Sequence, residues 1–79
     1  YPNPANNNFA LPIHLEKGQR IVLEIYSVLG VKVSSELLSL ASGNHILVKS
    51  FDLTSGQYFV NLVDENGIAI TTKRLVVVK

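Results

Sequence analysis

The sequence contains no cysteine, no methionine and no tryptophan, and charged residues make up only 16% of it. The missing cysteine rules out a disulfide framework, a thiolate zinc site and a thiol nucleophile, although small extracellular domains often depend on cross-links. The missing methionine leaves the chain without a start residue of its own and points to a piece of a longer precursor. No run of about 18 apolar residues is present to span a bilayer as a helix. No basic-then-apolar secretory leader opens the chain either, so an inner-membrane signal, for an exported parent, is expected upstream. Seven Lys and Arg against six Asp and Glu give a net charge of +1. Such a balance creates no long-range field to gather nucleic acid or anionic lipid.

The composition that remains is that of a sheet. Apolar residues reach 47%, with ten Val, six Ile and three Thr against four Ala. Stiff β-branched side chains suit a pleated surface better than a helix. At 79 residues the chain is one domain, near the lower size limit for a self-sufficient core.

Residues 1–8, YPNPANNN, form a linker-like arm: Pro2 and Pro4 fix φ and remove two donors, and the asparagines favour turns. Period-two alternation starts at Phe9, with Phe9, Leu11, Ile13 and Leu15 on one side and Ala10, Pro12, His14 and Glu16 on the other. Pro12 marks an edge strand. A second strand over about residues 20–28 puts Ile21, Leu23 and Ile25 on one face. A third over about 31–38 puts Val33, Ser35 and Leu37 together. A fourth over 45–51 is expected to turn Ile46 and Val48 inward and His45 outward. A fifth over 57–63 lines one face with Tyr58, Val60 and Leu62. Asn66-Gly67 is a hairpin signal. Residues 68–79 are long enough to bend into two strands, and the apolar run Leu75, Val76, Val77, Val78 suggests a strand covered on both faces. No helical periodicity and no internal repeat stands out. The expected fold is all-β, an antiparallel β-sandwich of about seven short strands over residues 9–79.

No catalytic arrangement emerges: there is no Gly-x-Ser-x-Gly elbow and no glycine-rich phosphate loop. His14 and His45 are too few and too scattered for a metal site. Asp64-Glu65-Asn66 lacks the spaced oxygens of a calcium loop. A sandwich this small also offers little concave volume for a substrate. No enzyme activity, cofactor or metal is expected.

Four segments carry a resemblance to a known family. Tyr1-Pro2-Asn3-Pro4-Ala5, followed by Phe9 and Leu11, opens the chain. Ile25-Tyr26-Ser27-Val28-Leu29-Gly30 with Val33 comes next, then Leu53-Thr54-Ser55-Gly56-Gln57-Tyr58-Phe59-Val60. Thr72-Lys73-Arg74-Leu75-Val76-Val77-Val78-Lys79 closes it. Taken in order, they resemble the type A C-terminal sorting domains of the type IX (Por) secretion system of Bacteroidetes. Gln57 and Ser50 stand where that pattern usually has apolar residues.

The resemblance implies an immunoglobulin-like sandwich at the C-terminus of a larger cargo. It implies export through the inner membrane by a separate signal and recognition in the periplasm. An outer-membrane shuttle protein and the type IX translocon would then carry the cargo out. A cell-surface sortase would remove the domain at or before Tyr1, leaving cargo at the cell surface, attached to lipopolysaccharide, or free outside. The residues it singles out are Tyr1, Pro2, Asn3, Pro4, Gly30, Gly56, Tyr58, Lys73, Arg74, Leu75, Val76, Val77, Val78 and Lys79. Read on their own chemistry, the first four make a stiff linker. Gly30 and Gly56 suit turns or close backbone approach. Tyr58 suits the core with its hydroxyl on a backbone acceptor. Residues 73–79 read equally as a docking strand with an open edge or as a core strand guarded by charges. The competing function is a structural or carbohydrate-binding accessory module. Its only outward aromatics would be Tyr26 and Phe59, which lie on different strands.

Overall fold

A computed structural model of the protein describes residues 7–78. Within them the chain forms six strands: β1 Asn7–Leu15, β2 Gln19–Ser27, β3 Lys32–Leu40, β4 Gly43–Phe51, β5 Gly56–Val63 and β6 Ala69–Val77. All pairings are antiparallel. β1 and β4 make one sheet, and the order β3-β2-β5-β6 makes the other. The segment after Ile68 is thus a single strand. The order corresponds to immunoglobulin strands B and E in one sheet and C′, C, F and G in the other.

Alternation fills the space between the sheets. Phe9, Leu11, Ile13 and Leu15 of β1 face Ile21, Leu23 and Ile25 of β2 and Tyr58, Val60 and Leu62 of β5, all buried. Ile21, Leu23, Ile25, Val60 and Leu62 are the most completely enclosed. Burial of side chains of this kind contributes about 1.5–3 kcal/mol each. Pro12 sits within an unbroken β1–β4 register. The N–H it lacks therefore belongs to the outward set that β4 does not use.

Two expectations about facing are overturned. Ile46 and Val48 of β4 are largely exposed, while His45, Leu47 and Lys49 take the inward positions. Ile46-Leu47-Val48 is an uninterrupted apolar triplet, so alternation within the strand leaves its phase open. Pairing of Leu47 with buried Leu11 decides it. Nor is the run at the end of β6 covered twice. Leu75 and Val77 are buried, whereas Val76 and Val78 are exposed on the outer side of an edge strand.

The four-stranded sheet contains the same hairpin twice. After β2, Gly30 N–H donates to the Ser27 carbonyl (2.9 Å), Ser27 N–H to the Val31 carbonyl (2.8 Å) and Val31 N–H to Ser27 Oγ (3.2 Å). After β5, Gly67 N–H donates to the Asp64 carbonyl (3.0 Å), Asp64 N–H to the Ile68 carbonyl (2.9 Å) and Ile68 N–H to Asp64 Oδ1 (2.9 Å). Gly30 and Gly67 take φ of 89° and 81°, the left-handed step of such a turn. Both hairpins continue into a bulge, where Val33 and Ile70 are the extra residues. Residue n of the first matches residue n + 37 of the second. Leu15-Glu16-Lys17-Gly18-Gln19, leading into β2, resembles Leu53-Thr54-Ser55-Gly56-Gln57, leading into β5, at an offset of 38, one residue more than in the hairpins. The registers thus relate the β2-β3 and β5-β6 hairpins by an approximate twofold axis between β2 and β5.

Candidate docking surface

The registers bring distant segments to one pole. β6 ends beside the start of β5, with Gly56 opposite Val77, and β5 starts beside the end of β2, with Tyr58 opposite Ser27. Val28 N–H donates to the Gln57 carbonyl (3.1 Å) and ties the β2–β3 turn to β5. β1 starts at this pole too, since Asn7 pairs with Phe51 just before the loop that leads into β5.

Tyr58 anchors the pole from inside. Its ring is buried and its hydroxyl donates to the Thr54 carbonyl (2.8 Å). With that proton committed, Thr54 Oγ1 donates back to the Tyr58 oxygen (3.1 Å). A tyrosine at the start of immunoglobulin strand F bonded to backbone a few residues upstream is a tyrosine corner. Gly30 supplies the positive φ of its turn. At Gly56 an added Cβ would meet the Tyr58 ring at 3.6 Å, ordinary contact, so crowding does not demand glycine there.

Of the β6 residues, Leu75 and Val77 complete the core, while Val76 and Val78 face out. Lys73 has the inward parity of Leu75 but lies on the sheet edge, and its Nζ donates to the Ala10 carbonyl of β1 (2.9 Å). It closes one flank of the sandwich. Lys49 of β4 closes the other by an ion pair with Glu36 of β3 (2.9 Å). Arg74 is exposed on the outer face and makes no ion pair among the described residues. Tyr1, Pro2, Asn3, Pro4 and Lys79 lie outside the described residues.

Sequence reasoning missed how the outer face is arranged. Tyr26 and Phe59 do lie on different strands, but the register sets them directly opposite each other as neighbours. Tyr26 is also opposite Lys32, and Phe59 opposite Arg74. One row therefore crosses all four strands as Lys32, Tyr26, Phe59, Arg74. Lys32 Nζ lies 3.4 Å from Glu24 Oε2, and the Tyr26 hydroxyl donates to Glu24 Oε1 (3.3 Å). Beyond this row toward the pole, Val28, Leu29, Val31, Val76 and Val78 are all exposed, Leu29 by 89%. Only the cross-strand register, which no single segment displays, reveals this surface.

Among the described residues there is no pocket and no cluster of metal-ligating side chains. The arrangement offers a face and an edge, and its chemistry is adhesive.

A family model described as a secretion system C-terminal sorting domain matches residues 1–78. No curated protein and no solved structure matches the chain.

Proposed function

The chain belongs to the secretion system C-terminal sorting domain family, that of the type IX pathway, and from this membership we propose how it acts as an address. A domain of this family is the sorting signal of a larger cargo precursor, and the protein carrying it is exported to the cell surface or beyond. The family is not an enzyme family.

In our reading, the domain waits folded in the periplasm behind its cargo. An outer-membrane shuttle and the translocon read it there and draw the cargo through the outer membrane. A cell-surface sortase then separates the two near Tyr1-Pro2-Asn3-Pro4. The observation that carries this reading is β6: among the described residues, the last strand of the matched region is a sheet edge, with Val76 and Val78 turned to solvent. An edge offers unpaired backbone groups, and a partner strand can extend the sheet there. The test is removal of residues 74–79 from the full precursor in its own cells. Cargo should accumulate in the periplasm, and surface delivery at the normal rate refutes the proposal.

The adjacency of Tyr26 and Phe59 lends some support to a second reading, a carbohydrate-binding accessory module, because paired aromatics can stack on sugar rings. Binding of the 79-residue chain to a glycan panel, lost on Tyr26→Ala, would favour it.

A further inference from the structure

The approximate twofold axis provides an internal control. The row Lys32, Tyr26, Phe59, Arg74 corresponds by the offset of 37 to Ala69, Val63, Val22, Leu37. Those residues also form one registered row across the four strands. It is wholly aliphatic. The backbone architecture therefore accepts an ordinary apolar row at this position and requires neither cations nor aromatics. The turns repeat the contrast. Val28 and Leu29 at the C-terminal pole occupy the places that Glu65 and Asn66 fill in the equivalent turn. Hairpin geometry is the same, so exposed aliphatic residues at one pole answer some need other than folding.

The face has a definite electrostatic character. Its one carboxylate, Glu24, is already engaged by Lys32 and the Tyr26 hydroxyl. Arg74, at the other end of the row, has no ionic partner among the described residues. The surface is thus apolar in the middle with uncompensated positive charge at its β6 end. The row spans three inter-strand spacings, about 14 Å.

We propose that this face, built from β2, β5, β6 and the 28–31 turn, docks a protein surface of complementary chemistry. That surface would have an apolar ridge lying on Tyr26, Phe59, Val28 and Val76, with a carboxylate set against Arg74. The proposal rests on the sorting reading and names the chemistry of the partner. A protein fits better than a glycan because five exposed aliphatic side chains adjoin the aromatic pair, and sugar hydroxyls gain nothing from them. Two copies placed face to face would leave Arg74 without an unengaged carboxylate to meet. Arginine and aromatic side chains are also the types that dominate the energetics of protein interfaces.

The test uses the full precursor in its producing cells, with surface and periplasmic cargo measured separately. Arg74→Glu should lower surface delivery by about tenfold or more, in line with losing an interfacial anchor. Arg74→Lys should retain most of it. Leu37→Glu, at the twofold-equivalent exposed site, should be exported as the parent is. Normal export of Arg74→Glu, in cells where removal of residues 74–79 blocks export, overturns the docking face but leaves the sorting reading intact. Normal export of both defeats the sorting reading itself. An equal loss in Arg74→Glu and Leu37→Glu overturns the proposal in favour of general destabilisation. Titration of the purified chain with an oligouronate that perturbs Phe59, abolished by Arg74→Glu, assigns the face to a glycan and also overturns it.

Discussion

His14 shows how a single exposed side chain couples this fold to pH. Its Nδ1 donates to Asn44 Oδ1 (2.8 Å), and its Nε2 lies 3.5 Å from the Glu16 carboxylate. Only the doubly protonated ring satisfies both neighbours. The Asn44 bond first, and then Glu16, accordingly hold the imidazole above its ordinary value of 6.5. Because the folded value is the higher one, the stabilisation is fully present below about 6.5 and is lost as pH rises through the folded value. The urea midpoint should fall between about pH 5.5 and about pH 8, and His14→Gln should flatten that part of the profile. An unchanged pH dependence in the variant would contradict the assignment. Tyr58 presents a different residue-scale problem, a buried ring with a polar end. Tyr58→Phe removes two neutral hydrogen bonds, one donated to the Thr54 carbonyl and one accepted from Thr54 Oγ1. Thr54 is exposed, so water can replace the lost partner at both its carbonyl and its hydroxyl. The cost should therefore be about 1 kcal/mol and no more. Denaturant titration should show a lower midpoint at unchanged slope.

At the scale of the element, the two hairpins allow one structure to be measured in two contexts. Gly30 and Gly67 occupy the same left-handed step, and an added Cβ meets nothing within 4 Å at either. Replacement by alanine thus costs backbone strain alone, about 1 kcal/mol, and the two variants should match within a few tenths. A large difference would show that the hairpins are not equivalent. The same elements mark what the chain makes readable. β1, β2 and β5 alternate cleanly, so the period-two pattern alone identifies the buried faces that run from Phe9 to Leu15, from Ile21 to Ile25 and from Tyr58 to Leu62. β4 does not, because Ile46-Leu47-Val48 satisfies either phase, and its pairing with β1 settles the matter. The apolar run in β6 misleads for a related reason. Hydrophobicity reports that Val76 and Val78 seek cover, without saying whether the domain itself supplies it. The hairpin repeat is hidden in the sequence because Ser27 and Asp64, Val28 and Glu65, and Leu29 and Asn66 share a backbone role without sharing side-chain character. The row Lys32, Tyr26, Phe59, Arg74 is illegible there in principle, since it exists only once strand order and register are known.

At the scale of the whole molecule, the described residues form a sandwich of two strands over four with open flanks, and exposed strand edges invite uncontrolled pairing. The flanks are closed in equivalent ways. Glu36 and Lys73 occupy corresponding places in the two hairpins, inward-facing on the outermost strands β3 and β6. Glu36 accepts the Lys49 ion pair on one side, and Lys73 reaches the Ala10 carbonyl on the other. Neither contact is deeply enclosed, so each contributes little to stability, at most about 1 kcal/mol. Their larger effect is on what else can approach. A charge pointing inward at an edge is buried without compensation if another strand slides over it, so it discourages edge-to-edge association. A sorting domain needs an edge that a chosen partner can use and that copies of itself do not. Lys73→Val should therefore leave the unfolding midpoint nearly unchanged while promoting self-association. Sedimentation velocity over a tenfold concentration series should find the parent chain sedimenting independently of concentration and the variant shifting to larger species. A variant as monodisperse as the parent would mean that Lys73 merely fastens β6 to β1. The edge would then owe its restraint to twist and to the bulge at Ile70.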